Sequence, residues 1–552
     1  MRAIFTPTLL SQVLLSQALL SLFLLSQQCR AATFTVDSTS DAALSACTVA
    51  AGDCSLRGAI AAANATSALD LIAFNIPTSD AGYQITSQHW RIAVGATSLP
   101  TIETPLTIDG YTQPGALENT NTPIQGGLNT VLKIELSSLA PPTGTGLFIG
   151  QNTPGGGATV TLRGLAINRF GNQVLFNGAS AHRIEGCFFG TDISGSFAAI
   201  SPSLNSGVGL HLIGSGAYVI GGTQPAARNL VSGLTAGIVA QERLDGLQLQ
   251  GNLIGTDATG TQAIGNLHEG FYVYGSLVNA LIGGSDPAAR NVIAASGWSA
   301  LNFRARGAVV SYQGTRIEGN YLGTDVTGTR AFGNGRDLFL DAPRATINFF
   351  DGESCQLNIG GPAPGQANLI AFGHDAGIHS RCRGLSSSAN RFFNNRGLAI
   401  DLSATDFSDG ATANDAGDVD DGGNRLQNYP EFTVPKAFLP SGGLSTSLQY
   451  RIDSNVANAS YPITVHFYRG ACGGGSEKLM QTDVYTAAQA QSLKTITLNS
   501  PDGGNMLPLV ATAIDAAGNN SEFAPMLGDA IMRSDLENVP APLTVGKCLP
   551  PN

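Results

Sequence analysis

Short apolar runs separated by polar turn residues fill the chain from about residue 96 to residue 435. Examples are the runs at 207–213, 218–220, 237–240 and 247–249, with Gly, Asn, Asp and Thr between them. Such runs are typical of short β-strands joined by tight turns. Because no long segment with a 3.6-residue period lies between them, the pattern predicts an all-β fold and disfavours an alternating α/β fold.

Two motifs recur within this region. The first is Gly186-Cys-Phe-Phe-Gly-Thr-Asp192, which returns at Gly251 and Gly319, at offsets of 65 and 68 residues. The second begins with Ile-Gly-Gly at Ile220, Ile282 and, in degraded form, Ile359. Strands with one apolar face must stack on neighbours to bury it. Residues 96–435 are therefore predicted to form a parallel β-helix, with about three coils of roughly 22 residues per unit.

Residues that recur in every copy are best explained by structure, since catalysis needs only one site. Asn252 and Asn320 occupy equivalent turns, where a stacked amide can bond the coils above and below. Cys187 takes that place in the first copy and is predicted to be a small, free, buried filler. The Asp that closes each copy is explained by a side-chain-to-backbone turn bond. Calcium is the alternative, but one carboxylate per copy supplies few of the oxygens it needs.

The two ends of the repeat region have different patterns. In residues 33–95, Leu56, Ile60 and Ala63 recur at helical spacing, which predicts a short N-terminal capping helix over the first coil. Strands lengthen after Pro435, and residues 436–552 are predicted to form a C-terminal β-sandwich of the immunoglobulin or fibronectin type. The alternative for this part is a β-helix cap without a core of its own.

Several motifs resemble one bacterial family. Cys54-Ser-Leu-Arg-Gly-Ala59 closely matches the signature of CSLREA-domain secreted proteins, with Gly58 where Glu is expected. Residues 107–115, the repeats, and the segments 414–418 and 426–430 are similar to the rest of that family. The resemblance spans nearly the whole mature chain and implies a right-handed parallel β-helix, as in pectin lyases. It also implies that position 58 is an exposed helix position that has lost a charge. No common chemistry is implied.

The start of the chain predicts export. Arg2 precedes an apolar stretch from Leu9 to Leu25, and small residues follow at Ala31 and Ala32. This order is typical of a secretory signal peptide, here residues 1–32. A membrane anchor is disfavoured because Ser and Gln interrupt the run, and a span needs about 20 mostly apolar residues. We expect a secreted or cell-surface protein, without a transmembrane segment once the signal is removed.

Cysteine content and charge narrow the possible disulfides, metals and partners. Export permits disulfides, and the predicted pairs are Cys47–Cys54, Cys355–Cys382 and Cys472–Cys548. No Cys-x-x-Cys and no His at ligand spacing support zinc. The chain carries 29 Lys and Arg against 40 Asp and Glu, without runs of like charge. A nucleic-acid partner is disfavoured, since that binding needs clustered bases. We expect a monomer whose partner is a polysaccharide or a cell-surface glycan.

Catalytic chemistry has one dense group of candidates outside the repeats. These candidates are His374, Asp375, His379, Arg381 and Arg383, with Arg391, Arg396 and Asp401 about one coil later. The catalytic set expected for an enzyme is His374, Asp375, His379, Arg381 and Arg396. A His beside an Asp can act as a general base, and Arg can bind the carboxylate of a polyuronate. The alternative is a set of surface polar residues beside the Cys382 disulfide. Carboxylates among residues 337–353 raise glycoside hydrolysis as a second enzyme alternative.

An acidic stretch at 406–424 is the candidate for a metal. Asp415, Asp418, Asp420 and Asp421 could bind calcium, although no EF-type register is present and a solvated acidic loop is the alternative. No cofactor is otherwise required. Taken together, the sequence favours an interaction or adhesion module. A polysaccharide lyase or glycoside hydrolase on the same fold is the first alternative, and a structural spacer is the second. A lyase is disfavoured because no Lys occurs from Ile134 to Pro435.

Overall fold

A computed structural model describes residues 31–139, 144–150, 158–178, 180–200, 207–304, 310–336, 343–350, 354–433, 445–471, 475–501 and 508–525. Within these ranges β-strands dominate, and one α-helix, α1 (Leu56–Ala63), is present. The all-β prediction is therefore confirmed. The signal peptide up to residue 30, Cys472, Cys548, and the carboxylates at 337, 341, 351 and 353 lie outside the described residues.

Three long sheets, in which all neighbouring strands but one pair are parallel, contain most of the strands. Sheet A holds β1 (Thr33–Val36), β2 (Asp70–Phe74), β5 (Leu106–Asp109), β8 (Val160–Arg163), β11 (His182–Glu185), β14 (Tyr218–Gly221), β17 (Gln248–Gln250), β20 (Leu281–Gly283), β23 (Arg316–Glu318), β26 (Ser354–Gly360) and β29 (Arg383–Ser388). Sheet B holds β7 (Thr145–Ile149), β10 (Asn172–Asn177), β13 (Val208–Ile213), β16 (Ala236–Asp245), β19 (Phe271–Val278), β22 (Leu301–Phe303), β25 (Ile347–Phe349), β28 (Ile378–Ser380) and β31 (Ile400–Leu402). Sheet C holds β3 (Tyr83–Gln84), β4 (His89–Val94), β6 (Ile134–Ser138), β9 (Leu165–Asn168), β12 (Phe188–Phe189), β15 (Leu230–Val231), β18 (Leu253–Ile254), β21 (Val292–Ile293), β24 (Tyr321–Leu322), β27 (Leu369–Ala371) and β30 (Arg391–Phe393).

The chain visits these sheets in a fixed order. From β5 to β31 every third strand returns to the same sheet, in the order A, C, B. One passage through the three sheets is here called a coil. The first motif supplies β12, β18 and β24 of sheet C, and the second motif supplies the strand that follows each of them, β15, β21 and β27. Each repeat unit therefore spans two coils, and the prediction of three shorter coils was wrong.

The space between the sheets is filled by in-register rows of apolar side chains. One inward row of sheet B consists of Leu147, Val174, Leu210, Ile238, Phe271, Leu301, Ile347, Ile378 and Ile400. All of these side chains are buried in one continuous hydrophobic cluster. Because side chains on a strand alternate between its two faces, the residues between them point away from the core.

A buried row of asparagines runs along the edge of sheet C and joins successive coils. Each amide donates from Nδ2 to the Oδ1 of the next one, at 2.9–3.0 Å. The row consists of Asn229, Asn252, Asn291, Asn320, Asn368 and Asn390. The predicted stacking of Asn252 and Asn320 is thus confirmed, and the Asn of the second motif completes the row.

The other repeated residues also have structural roles. Asp257 Oδ1 accepts the backbone N–H groups of Thr261 and Gln262, both at 3.0 Å, as predicted for a turn bond. Cys187 begins the asparagine row, since its backbone N–H donates to Asn229 Oδ1 at 2.9 Å. Its thiol is free and fully buried, and burial raises its pKa to about 12.

We expect the Cys187 thiol to resist alkylation in the folded protein, because the reactive thiolate is neither formed nor accessible. Iodoacetamide treatment followed by peptide mass spectrometry should find Cys187 unmodified under native conditions and fully modified in denaturant. Modification at equal rates in both conditions would contradict its burial.

Helix α1 covers the first coil. Ser55 is its N-cap and accepts the N–H of Gly58, and Leu56, Ile60 and Ala63 are buried as predicted. The expectation of an exposed position 58 is wrong. Gly58 is buried, and a Cβ there would lie 1.7 Å from the carbonyl oxygen of Leu44, so a Glu cannot fit this packing.

Two small antiparallel sheets follow the last coil. One holds β32 (Glu431–Thr433), β33 (Ser445–Arg451) and β36 (Lys494–Asn499), and the other holds β35 (Gly475–Tyr485), β34 (Ile463–Ala471) and β37 (Leu509–Ile514). Together they enclose a hydrophobic cluster of their own, as predicted for an independent core. Strand β32 shows that this part begins before residue 436.

The C-terminal sheets also contact the last coils directly. Ser476 Oγ donates to the carbonyl oxygen of Asn390 at 2.8 Å, and the backbone N–H of Gly384 donates to Asn519 Oδ1 at 2.9 Å. Phe523 packs edge-on against Phe392. The C-terminal part therefore has a hydrophobic cluster of its own and also contacts the last coils.

Candidate functional site

The outer face of sheet B carries a row of side chains with one member per coil. It consists of Phe148, Leu175, His211, Val239, Tyr272, Asn302, Asn348, His379 and Asp401. Strands within a sheet lie about 4.8 Å apart, so the row presents chemically different groups at regular intervals. We call this surface the outer row. It becomes polar toward its C-terminal end.

The C-terminal end of the outer row brings some of the predicted catalytic residues together. His379 lies between Asn348 and Asp401 on neighbouring strands, and its Nδ1 is 2.8 Å from Asn348 Oδ1. His379 Nε2 and Asp401 Oδ1 are enclosed and have no hydrogen-bond partner among the described residues. Asp375 and Arg381 belong to the same group, since Asp375 raises the pKa of His379 and Arg381 lowers it.

Residues 403–412 lie over this group. Ser408 Oγ donates to Asp375 Oδ2 at 2.7 Å, the N–H of Gly410 donates to Asp401 Oδ2 at 3.2 Å, and Arg381 pairs with Asp406. As a result His379 is only 1% exposed and Asp401 only 2%. A polymer in solution cannot reach the imidazole while this segment stays in place.

Burial also sets the protonation states in this group. It lowers the pKa of His379, against the attraction of Asp375 and Asp409, so the imidazole tends to stay neutral. It raises the pKa of Asp401 to about 6, and Asp409 and Asp375 add repulsion. A neutral His beside a carboxyl group could accept a proton, but only from a group that reaches it.

The structure adds one carboxylate that the sequence did not indicate. Glu522, from the C-terminal part, accepts the N–H groups of Leu402 and Thr412, both at 2.9 Å. Burial raises its pKa to about 7, and Asp401 and Asp409 add repulsion. No local signal could have found this residue, since it follows Leu402 by 120 positions.

His374 and Arg396 do not join this group. His374 lines a cleft of about 350 Å³ at the corner between sheets C and B, together with Asn266, Phe332 and Arg336. Burial, followed by the positive charges of Arg396 and Arg336, lowers the pKa of His374. The predicted cluster thus divides into two parts. One is the covered group on sheet B, and the other is His374 with the neighbouring Arg336 and Arg396 at the corner between sheets C and B.

The accessible part of the outer face lies further from the C-terminus. Tyr272 and Tyr274 on β19 are half-buried, with ring centroids 5.6 Å apart, and Arg304 directly after β22 is exposed. Gln241 pairs in register with Tyr274. On the adjoining corner, His268 stacks on Trp298 at 4.2 Å and Arg344 lies over the same indole ring. These aromatic rings and polar groups form the aromatic patch.

Three residues of the acidic stretch form a compact group. Carboxylate oxygens of Asp415, Asp418 and Asp420 lie within 4.8 Å of one another. Asp421, which the sequence placed with them, is outside this group and pairs with Arg383 at 2.6 Å. The three carboxylates could hold a hard cation such as calcium.

Other observations bear on compartment and family. The structure forms the predicted disulfides Cys47–Cys54 and Cys355–Cys382, which fit an oxidising environment. In the part of the chain that the structure describes, no helix is long and apolar enough to cross a membrane. No protein-family model matches the chain, and no curated protein matches it. The resemblance to CSLREA-domain proteins therefore stays a hypothesis.

Proposed function

We propose that the chain is a secreted or cell-surface interaction module that binds an extended polysaccharide along the outer face of sheet B. In this proposal sheets A, C and B form a right-handed parallel β-helix of the CSLREA type. The fixed sheet order and the one-per-coil rows support a β-helix. The two disulfides support export.

The proposal for the C-terminal part is an immunoglobulin- or fibronectin-like sandwich. The order β32-β33-β36 corresponds to strands A, B and E of that fold, and β35-β34-β37 corresponds to C′, C and F. The shared hydrophobic cluster between the two sheets is the core that such a sandwich requires. Its contacts with β30 and with Asn390 support a role as an end cover of the coil stack.

The aromatic patch is the observation that carries the binding function. Tyrosine offers a flat apolar ring for the carbon face of a sugar and a hydroxyl for its polar edge. Arg304 and Gln241 add hydrogen-bonding groups beside Tyr272 and Tyr274, and arginine pairs well with carboxylates. Because equivalent positions recur in every coil, a polymer that follows the coil axis can contact several of them at once.

Binding is favoured over catalysis because the acid–base group is covered. His379 and Asp401 are enclosed by residues 403–412, whereas the aromatic patch is accessible. A lyase would need a base in contact with the sugar and a group that neutralises its carboxylate. Elimination would therefore require residues 403–412 to move away. The spacer alternative gives no role to the half-buried aromatic rings at this surface.

We expect the double substitution Tyr272→Ala/Tyr274→Ala to weaken polysaccharide binding at least tenfold without changing the circular dichroism spectrum. Glycans that bind the wild type are first identified on an array, and affinities are then measured by titration with oligomers of increasing length. Affinity should rise with length over several sugar units. Phe197→Ala removes an exposed ring from a turn outside sheet B and serves as the matched control.

Two results would contradict this proposal. The first is equal affinity of the double variant and the Phe197→Ala control. The second is release of unsaturated products from pectate, alginate or glycosaminoglycans by the wild type, together with loss of that activity in His379→Ala. The second result would make the covered group an active site and support the lyase alternative.

A further inference from the structure

The three clustered carboxylates lie at the seam between the coil stack and the C-terminal sheets. Asp418 is 5% exposed, while Asp415 and Asp420 are partly exposed. Asp418 accepts the backbone N–H of Asn428 at 2.9 Å and the Gln427 amide at 2.6 Å. These neutral donors leave free lone pairs on each carboxylate oxygen. Three negative groups therefore remain close together without a basic partner in their group.

A second feature of the seam points independently to a ligand. Ser454 is wholly buried, and its hydroxyl faces the Asp418 carboxylate. The hydroxyl makes no hydrogen bond of good geometry with any described residue, and neither does the enclosed Oδ1 of Asp420. Buried polar atoms nearly always have partners, so two unsatisfied oxygens beside one carboxylate group require an explanation.

We propose that Asp415, Asp418, Asp420 and Ser454 bind one calcium ion. All of the candidate ligands are oxygens, which hard cations prefer, and thiol or imidazole ligands are absent from the cluster. Three carboxylates and a hydroxyl, supplemented by water, can provide the six to eight oxygens of a calcium site. Magnesium is less suitable because it requires a regular octahedron and usually retains several waters.

The position of the ion gives it a structural role. Ser454 lies in the connection between β33 and β34, whereas the carboxylates lie in the segment that leaves the last coil. Direct bonds already join these two segments, since Gly417 N–H donates to Asp453 Oδ1 at 3.2 Å and Asn428 Nδ2 donates to the Asp453 carbonyl at 2.6 Å. An ion shared by both segments would fix the C-terminal sheets on the coil stack.

The test uses the full mature chain, dialysed against a chelator and titrated with calcium chloride in a calorimeter. We expect one binding event per chain, and a rise of several degrees in the unfolding temperature at saturating calcium, because the ion binds only the folded state. Asp420→Asn should lower the affinity at least tenfold, and Ser454→Ala should lower it several-fold. Asp421→Asn is the matched control, since Asp421 pairs with Arg383 outside the cluster.

Folding of each variant is checked by circular dichroism, so that loss of binding is not confused with loss of structure. The measurement on the wild type does not depend on any variant. Absence of calcium binding to the folded wild type would overturn the proposal, as would an equal loss in Asp421→Asn and Asp420→Asn. Equal affinities for magnesium and calcium would overturn the choice of calcium. None of these outcomes depends on polysaccharide binding.

Discussion

Replacing Asn291 by alanine is expected to lower the free energy of unfolding by about 3–5 kcal/mol. The side chain is fully buried and takes part in four hydrogen bonds. Its Nδ2 donates to the Leu249 carbonyl at 2.7 Å and to Asn320 Oδ1 at 2.9 Å, and its Oδ1 accepts the Asn252 backbone N–H and Nδ2, both at 3.0 Å. Alanine removes the partners of the buried Leu249 carbonyl and Asn252 N–H, and each such loss costs about 1–3 kcal/mol. The Asn252 amide and Asn320 Oδ1 keep other hydrogen bonds.

Urea unfolding followed by circular dichroism measures this loss. Asn177→Ala is the matched control, because Asn177 is an exposed residue at the end of β10. We expect the control to change the free energy of unfolding by less than about 0.5 kcal/mol. If the two variants unfold at the same urea concentration, the asparagine row does not stabilise the coil stack.

The asparagine row also shows how far the repeats could predict the fold. Asn252 and Asn320 were predicted to stack because they recur in one motif, and the structure confirms it. The contribution of Asn229 and Asn291 was missed, since the second motif was not recognised as the alternate coil. The number of residues in a coil depends on the lengths of its turns. A longer turn extends outward and leaves the pattern of inward-facing apolar residues unchanged. Sequence periodicity therefore indicated stacking without giving the number of coils.

The candidate site was predicted less well than the fold. His374 and His379 were predicted to act together because they are close in sequence. A corner between sheets C and B separates them, and only His379 belongs to the outer row. Tyr272 and Tyr274 carry no motif, and their exposure depends on the direction of alternation within β19. Glu522 reaches Leu402 only because the C-terminal part covers the last coil. Long-range packing of this kind leaves no local signal.

The pH dependence of stability is expected to change when Glu522 is replaced by glutamine. Burial raises the pKa of Glu522 to about 7 from 4.5, with added repulsion from Asp401 and Asp409. When the pKa of an acid is higher in the folded than in the unfolded protein, the protonated acid stabilises the fold. This contribution to the free energy of unfolding is fully present below the pKa of the unfolded state. It is lost as the pH rises through the folded value. The wild type therefore carries a penalty at pH 8 that is largely absent at pH 5.

Glutamine cannot ionise, so this penalty should disappear in Glu522→Gln. Relative to the wild type, the variant should gain about 2–3 kcal/mol of unfolding free energy between pH 5 and pH 8. Glutamine also loses the acceptor for the Thr412 N–H, but this loss is the same at every pH and shifts only the baseline. Buried histidines with lowered pKa, such as His182 and His466, oppose the trend in the whole protein. Their contributions to the pH dependence are the same in the wild type and in the variant, so they cancel in the difference.

Urea unfolding at several pH values between 5 and 8, for the wild type and the variant side by side, measures the difference directly. Glu242→Gln, at an exposed position of β16, should follow the wild type at every pH and serves as the control. A constant difference between Glu522→Gln and the wild type would mean that Glu522 titrates normally, and hence that water reaches it. In that case the C-terminal sheets would not be closed over the last coil, because the raised pKa depends on burial between Leu402, Thr412 and Asp401.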